Sequence, residues 1–161
     1  MKTRILILVG VFVLGLSLVL YKNVHAPVEV VGESLVRDVQ KRTEVSLNGT
    51  TFSAYVSDTE KLRENGLSGF KGLSDKELML FKFDNDDTVG FWMKDMLFSI
   101  DIVWVDSAMK VISIEKNVSP ATFPKVFYPA KPSRYVLELA AGITERIGTK
   151  IGDTLTISGG K

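Results

Sequence analysis

The sequence predicts a mainly β protein: a small β-sandwich or barrel with one or two short helices, preceded by an N-terminal transmembrane helix. Three observations predict it. Residues 5–20 read ILILVGVFVLGLSLVL, without a charge or a proline. From Thr43 onward, short runs of alternating apolar residues recur between Gly, Asn, Asp and Pro turn signals. The chain has 161 residues, 45% of them apolar and 24% charged, enough for one domain with its own core and not for two.

The apolar run comes first. As a helix, Ile5 to Tyr21 spans roughly 25 Å, the short end for a bilayer crossing and the long end for a signal peptide. A core helix of a small domain keeps a polar face, and this run has none. Lys2 and Arg4 precede it and Lys22 follows. That cation bias places the N-terminus in the cytoplasm and the rest of the chain outside, periplasmic or extracellular. Val24-His25-Ala26 offers small or apolar residues for cleavage after Ala26, which would release a secreted protein. Pro27 would then follow the cut, where its ring disfavours the geometry a protease needs. The expected organisation is an anchor or signal segment over 1–22, a tether over 23–43, and an extracytoplasmic β-rich domain over 44–158.

Within the domain, Asn48-Gly49 between the runs Glu44–Leu47 and Thr50–Val56 predicts a tight hairpin, because both residues tolerate positive φ. Ser57 or Asp58 is placed to cap a short helix over Thr59–Asn65, with Gly66 ending it. Strands are expected at Leu78–Phe83, Val89–Met93, Ser99–Val105, Lys110–Val118 and Tyr135–Leu139, with Asp84–Asp87 as a turn. Four prolines from Pro120 to Pro132 make Ser119–Ser133 a long loop. Gly142–Ile147 suits a helical turn, and Ile151–Ile157 a final strand entered through Gly152-Asp153.

Composition excludes several chemistries. There is no cysteine, and the single histidine, His25, precedes the domain. A thiolate nucleophile, an iron–sulfur cluster, a Ser–His pair or a His- or Cys-built metal centre is therefore excluded from it. A net charge of +1 gives no electrostatic reason to expect nucleic acid. No cofactor or metal site is expected.

Gly66-Leu67, Met79-Leu80-Phe81, Phe91-Trp92-Met93-Lys94-Asp95-Met96, Ile100-Asp101-Ile102, Val136–Leu139 with Ala141-Gly142, and Gly152-Asp153 occur in this order. Together they resemble the family called domain of unknown function 192 over roughly Glu44 to Ile157. The resemblance implies a jelly-roll-like sandwich, often exported or membrane-anchored, and supplies no reaction. Ser68, Leu78, Ser99 and Met109 depart from the residues usual at those positions. At Met109 the departure puts a positive-φ turn in doubt.

Two carboxylates stand out because they lie in apolar strands. Asp101 needs a partner there, Lys94, Arg134 or backbone amides, since an unpaired buried carboxylate is costly. Glu138 projects opposite to Leu137 and Leu139. Trp92 and Lys94 share one face of their strand. Convergence of Trp92, Lys94, Asp101, Arg134 and Glu138 on one concave surface, with the Pro120–Pro132 loop on its rim, would suit an oriented polar ligand. Such a domain would bind a small polar ligand, a peptide or an envelope polymer. The alternative is a cell-envelope enzyme using the Asp101–Glu138 pair with Lys94.

Overall fold

The computed structural model describes residues 40–158. The apolar segment and the tether up to Val39 lie outside them. Among the described residues no helix is long and apolar enough to cross a membrane.

Among the described residues nine strands and two short α-helices follow one another as β1 (Arg42–Leu47), β2 (Thr50–Ser57), α1 (Glu60–Asn65), β3 (Glu77–Asp87), β4 (Phe91–Trp92), β5 (Ile100–Val105), β6 (Val111–Val118), β7 (Val126–Phe127), β8 (Ser133–Ala140), α2 (Ile143–Arg146) and β9 (Leu155–Ile157). Seven strands make one sheet in the order β6-β5-β8-β3-β2-β1-β9, and β4 pairs with β7 in a separate two-stranded flap. All pairs are antiparallel except β2 with β3, which α1 connects as a crossover. The sheet curls into a half-barrel rather than splitting into two packed sheets. Its edge strands approach at one end, where Lys110 bridges Thr154 and the Leu155 amide donates to the Met109 carbonyl.

Strand alternation sorts the apolar residues onto the two sides of this single sheet. The inner side gathers residues from all seven strands, among them Val45, Phe52, Leu78, Leu80, Val103, Val111, Leu137 and Leu155. The outer side carries Tyr55, Met79, Phe81, Ile102, Trp104 and Val136, and is covered by Leu67, Phe70, Phe91, Met93, Met96 and Phe127. Those covering residues come from loops and from the flap. Phe91 meets Phe81 edge-on at 4.8 Å and Trp104 at 6.1 Å, so it pins the flap to the sheet.

Local chemistry explains the element ends. Asn48 and Gly49 both take positive φ, and β1 pairs with β2 as the hairpin requires. The helix cap is Thr59, not Ser57 or Asp58: its hydroxyl accepts from the Leu62 amide, three residues on. Asp84–Asp87 is strand, not turn, because β3 runs on to pair Asp87 with Ser133 beyond a register shift. Val89–Met93 contributes only Phe91 and Trp92 as strand, and the proline-spaced segment supplies their partners Val126 and Phe127. Met109 does adopt positive φ, so the turn forms without the usual glycine. Its amide donates to the Asp106 carbonyl.

Candidate functional site

A cleft of about 750 Å³ opens on the outer side of the sheet. One wall is α1, presenting Glu60, Arg63, Glu64 and Asn65. The other is the flap and the turn after it, with Gly90, Trp92, Lys94 and Asp95. Phe81, Phe83, Val89 and Phe91 make the apolar floor. Ser68 Oγ donates to the Lys94 carbonyl and the Gly69 amide to the Asp95 carbonyl, tying the two walls together. Helix α1 buries none of its residues, so it acts as a polar wall rather than as a core element. Arg63 is held in place: its guanidinium donates to the Lys82 carbonyl at 2.9 Å and lies over the Phe83 ring.

A narrow hollow of about 40 Å³ shares much of this lining, including Arg63, Asn65, Ser68, Phe81, Trp92 and Lys94, and adds Gly66, Leu67, Met96 and Glu138. Glu138 sits on β8 between Met79 of β3 and Ile102 of β5, and is 4% exposed. Its Oε2 is buried and has no hydrogen-bond partner among the described residues. Burial in this apolar setting pushes its carboxyl up to about 8. At neutral pH it is therefore mainly a neutral acid, able to donate one hydrogen bond and to accept others.

Asp101 is not part of this site. In the β5–β8 register Asp101 faces Leu139 while Ile102 faces Glu138, so the two carboxylates lie on opposite sides of the sheet. The Asp101 carboxylate accepts from four donors: the amides of Asn117, Gly142 and Thr144, and the Thr144 hydroxyl. Its partners are thus backbone amides and a threonine, not Lys94 or Arg134, and they fasten α2 to β5. An acid–base pair of Asp101 with Glu138 is ruled out by this geometry.

Arg134 is also outside the cleft. It pairs with Asp86 at 2.7 Å across the partly exposed end of the sheet. The Ser107 hydroxyl, and then Arg134, hold the Asp86 carboxyl below the usual range. Trp92, Lys94 and Glu138 do share one site. Phe91 and Met93 are buried while Trp92 and Lys94 are exposed, as alternation predicts. Lys94 Nζ lies 5.9 Å from the Trp92 ring centroid. Phe123 of the proline-spaced segment leans on Trp92 at 5.8 Å, yet no residue of that segment lines the cleft. Sequence reasoning missed the α1 wall. Its signal was present: six residues, Glu-Lys-Leu-Arg-Glu-Asn, with a single apolar side chain, a helix without an apolar stripe to bury. Among the described residues no group of three or more His, Cys, Asp or Glu side chains is placed to hold a metal ion.

Two solved structures are similar to this chain in fold. A Sinorhizobium meliloti protein described as a candidate transcription regulator superposes with a TM-score of 0.70 at 28% identity, over 74% of this chain and 96% of that one. A protein of unknown function from Novosphingobium aromaticivorans gives 0.69 at 28% identity, over 71% and 84%. No curated protein matches the chain. The family model of DUF192, described as Uncharacterized ACR, matches residues 43–157, from the start of the β1–β2 hairpin to the end of β9. The chain belongs to the DUF192 family.

Proposed function

We propose that this chain is a membrane-tethered, extracytoplasmic binding domain, and that the outer cleft takes a small, polar, uncharged group such as one sugar unit of an envelope polymer. The observation that carries the reading is the buried, unpartnered Glu138 Oε2 in the narrow hollow that shares the cleft's lining. Leaving a buried polar atom unsatisfied costs about 1–3 kcal/mol, and a ligand that supplies the missing partner recovers it. A neutral hydroxyl suits a neutral carboxyl, because neither partner brings a charge that must be desolvated. A cationic group would instead have to be buried as an ion pair, which gains little net energy. At the mouth, Trp92 offers a flat apolar face, and Arg63, Asn65 and Glu64 offer donors and acceptors. The tether and the outside location rest on the apolar run at residues 5–20 and on Lys2 and Arg4 before it.

Thermal-shift titration tests this. Neutral mono- and disaccharides, sugar acids, dipeptides and divalent cations are screened against the wild type, Glu138→Gln and Glu138→Leu. A ligand that binds only the native state raises the midpoint. Neutral saccharides should shift the wild type and Glu138→Gln, which keeps a donor and an acceptor, and should leave Glu138→Leu unmoved. Equal shifts in all three proteins, or shifts with charged ligands alone, refute the reading.

A further inference from the structure

Five large hydrophobic side chains are well exposed among the described residues: Trp92 at 50%, Leu97 at 64%, Phe123 at 46%, Tyr128 at 59% and Ile151 at 71%. Four of them belong to the two segments that build the flap, residues 91–97 and 120–132. Trp92 and Phe123 are in ring contact. Tyr128 packs over Gly90, whose missing Cβ leaves room for its ring beside β4. These same segments carry three lysines, Lys94, Lys125 and Lys131, against a single acid, Asp95. Lys94 lies beside the Trp92 ring, and Lys125 Nζ is 4.4 Å from the Phe127 centroid. The flap's apolar inner residues, Phe91 and Phe127, are already spent on the sheet. Trp92, Phe123 and Tyr128 nevertheless leave about half of their surface open to solvent.

We infer that the outer face of the flap, with Trp92, Phe123 and Tyr128 among Lys94, Lys125 and Lys131, docks on a bilayer surface that contains anionic phospholipid. The inference rests on the membrane-tethered reading above. Trp and Tyr favour the headgroup region because each has an apolar body and a polar tip. Lysines spread their apolar stems in the same layer and meet phosphate with the ammonium. A bilayer also needs no matching shape, which suits half-exposed rings of which only Trp92 borders the cleft. The chain outside the described residues makes this occupant the nearest at hand. It holds the uninterrupted apolar run at 5–20, and residues 21–39 reach roughly 65 Å at most when fully extended. A bilayer entered by that run is thus held within range of the flap at high effective concentration. Phe123 and Tyr128 do not line the cleft, so docking and ligand binding can be separated.

The chain carries two tryptophans, Trp92 on this face and the fully buried Trp104, which makes the test direct. Full-length protein is reconstituted into nanodiscs of phosphatidylglycerol or phosphatidylcholine, with plain or brominated acyl chains, and tryptophan emission is read. Brominated phosphatidylglycerol should quench the wild type, and phosphatidylcholine should quench it less. Trp92→Phe, emitting from Trp104 alone, should not respond. Phe123→Ser with Tyr128→Ser, and separately Lys125→Glu with Lys131→Glu, should lose the quenching while the Trp104 emission maximum stays in place. Absence of quenching in the wild type, or undiminished quenching in both flap variants, overturns the inference, since tethering alone would then account for the signal. A chain that enters no disc overturns the tether together with this face. Quenching without any saccharide shift on the same discs leaves the face standing and removes the cleft reading.

Discussion

Replacing Glu138 by Gln should make the domain more stable, and the gain should grow with pH. The unfolded chain holds the Glu138 proton with a value near 4.5, the folded one with a value near 8. Between those limits the native state binds more protons than the unfolded state, so stability falls as pH rises through the window. Below about 4.5 both states are protonated, and above about 8 both are ionised, so the contribution is flat outside it. At about 1.4 kcal/mol per unit the gap is worth at most about 5 kcal/mol, against a total stability of about 5–15 kcal/mol for such a domain. Glu138→Gln carries no titrating group there, and every other titrating group is common to both proteins. The difference between their urea-melt free energies should therefore be within about 1 kcal/mol near pH 4.5, climb through pH 6–7, and level off at a few kcal/mol above pH 8. The fragment 40–158, which contains both apolar clusters, suits the measurement. Parallel curves, with a constant difference from pH 4.5 to 9, would mean that Glu138 ionises freely in the native state. Its carboxyl would then be solvated, and the burial assigned to it beside the cleft would be wrong.

Two further outcomes follow from the packing. Asp101→Ala strands three backbone amides and the Thr144 hydroxyl that now share its carboxylate. It should cost about 3–5 kcal/mol in urea melts, while Asp87→Ala, on an exposed stretch of β3, should change stability by less than about 0.5 kcal/mol; equal effects would refute the anchoring role. Gly90→Ala would place a Cβ 2.5 Å from Val126 Cγ1 and 2.6 Å from the Tyr128 ring, and should lower stability by about 1–2 kcal/mol through overpacking of the flap; an unchanged melt would show that the β4–β7 pair yields more easily than its geometry indicates.

What was legible in the sequence was what a single strand or turn decides for itself. Asn48-Gly49 demanded positive φ and a hairpin, and formed one. Alternation from Phe91 to Lys94 separated a buried pair from an exposed one. Alternation also put Glu138 opposite Leu137 and Leu139, which is correct. Pairing between distant strands was not legible. The sequence shows that Asp101 and Glu138 both sit in apolar strands, and says nothing about which residue of β5 meets which residue of β8. The register that sets Ile102 against Glu138 decides the matter, because a shift of one residue would have brought the two carboxylates to one side. Parity within a strand is local, whereas parity between strands is a property of the sheet.

The same limit explains why Glu138 looked like half of a carboxylate pair. A strand with polar residues on one side usually turns that side to water. Here the outer side is roofed by Leu67, Phe70, Phe91, Met93 and Met96, which arrive from loops and the flap more than forty residues upstream of Glu138. Under a roof made of loops, the strand pattern of β8 cannot report its own burial. Asp101 and Glu138 are equally buried and equally conspicuous in sequence, yet their environments have opposite consequences. Asp101 meets three amides and a hydroxyl and becomes part of the scaffold. Glu138 finds no partner for its Oε2 in the hollow beside the cleft, and burial pushes it toward neutrality. The fold gains nothing from that arrangement: a leucine in its place would spare the desolvation and leave no orphan. A buried carboxyl that lowers stability and opens onto a cleft has its rationale in what enters the cleft, and Glu138 is therefore the residue on which the binding reading should be tested first.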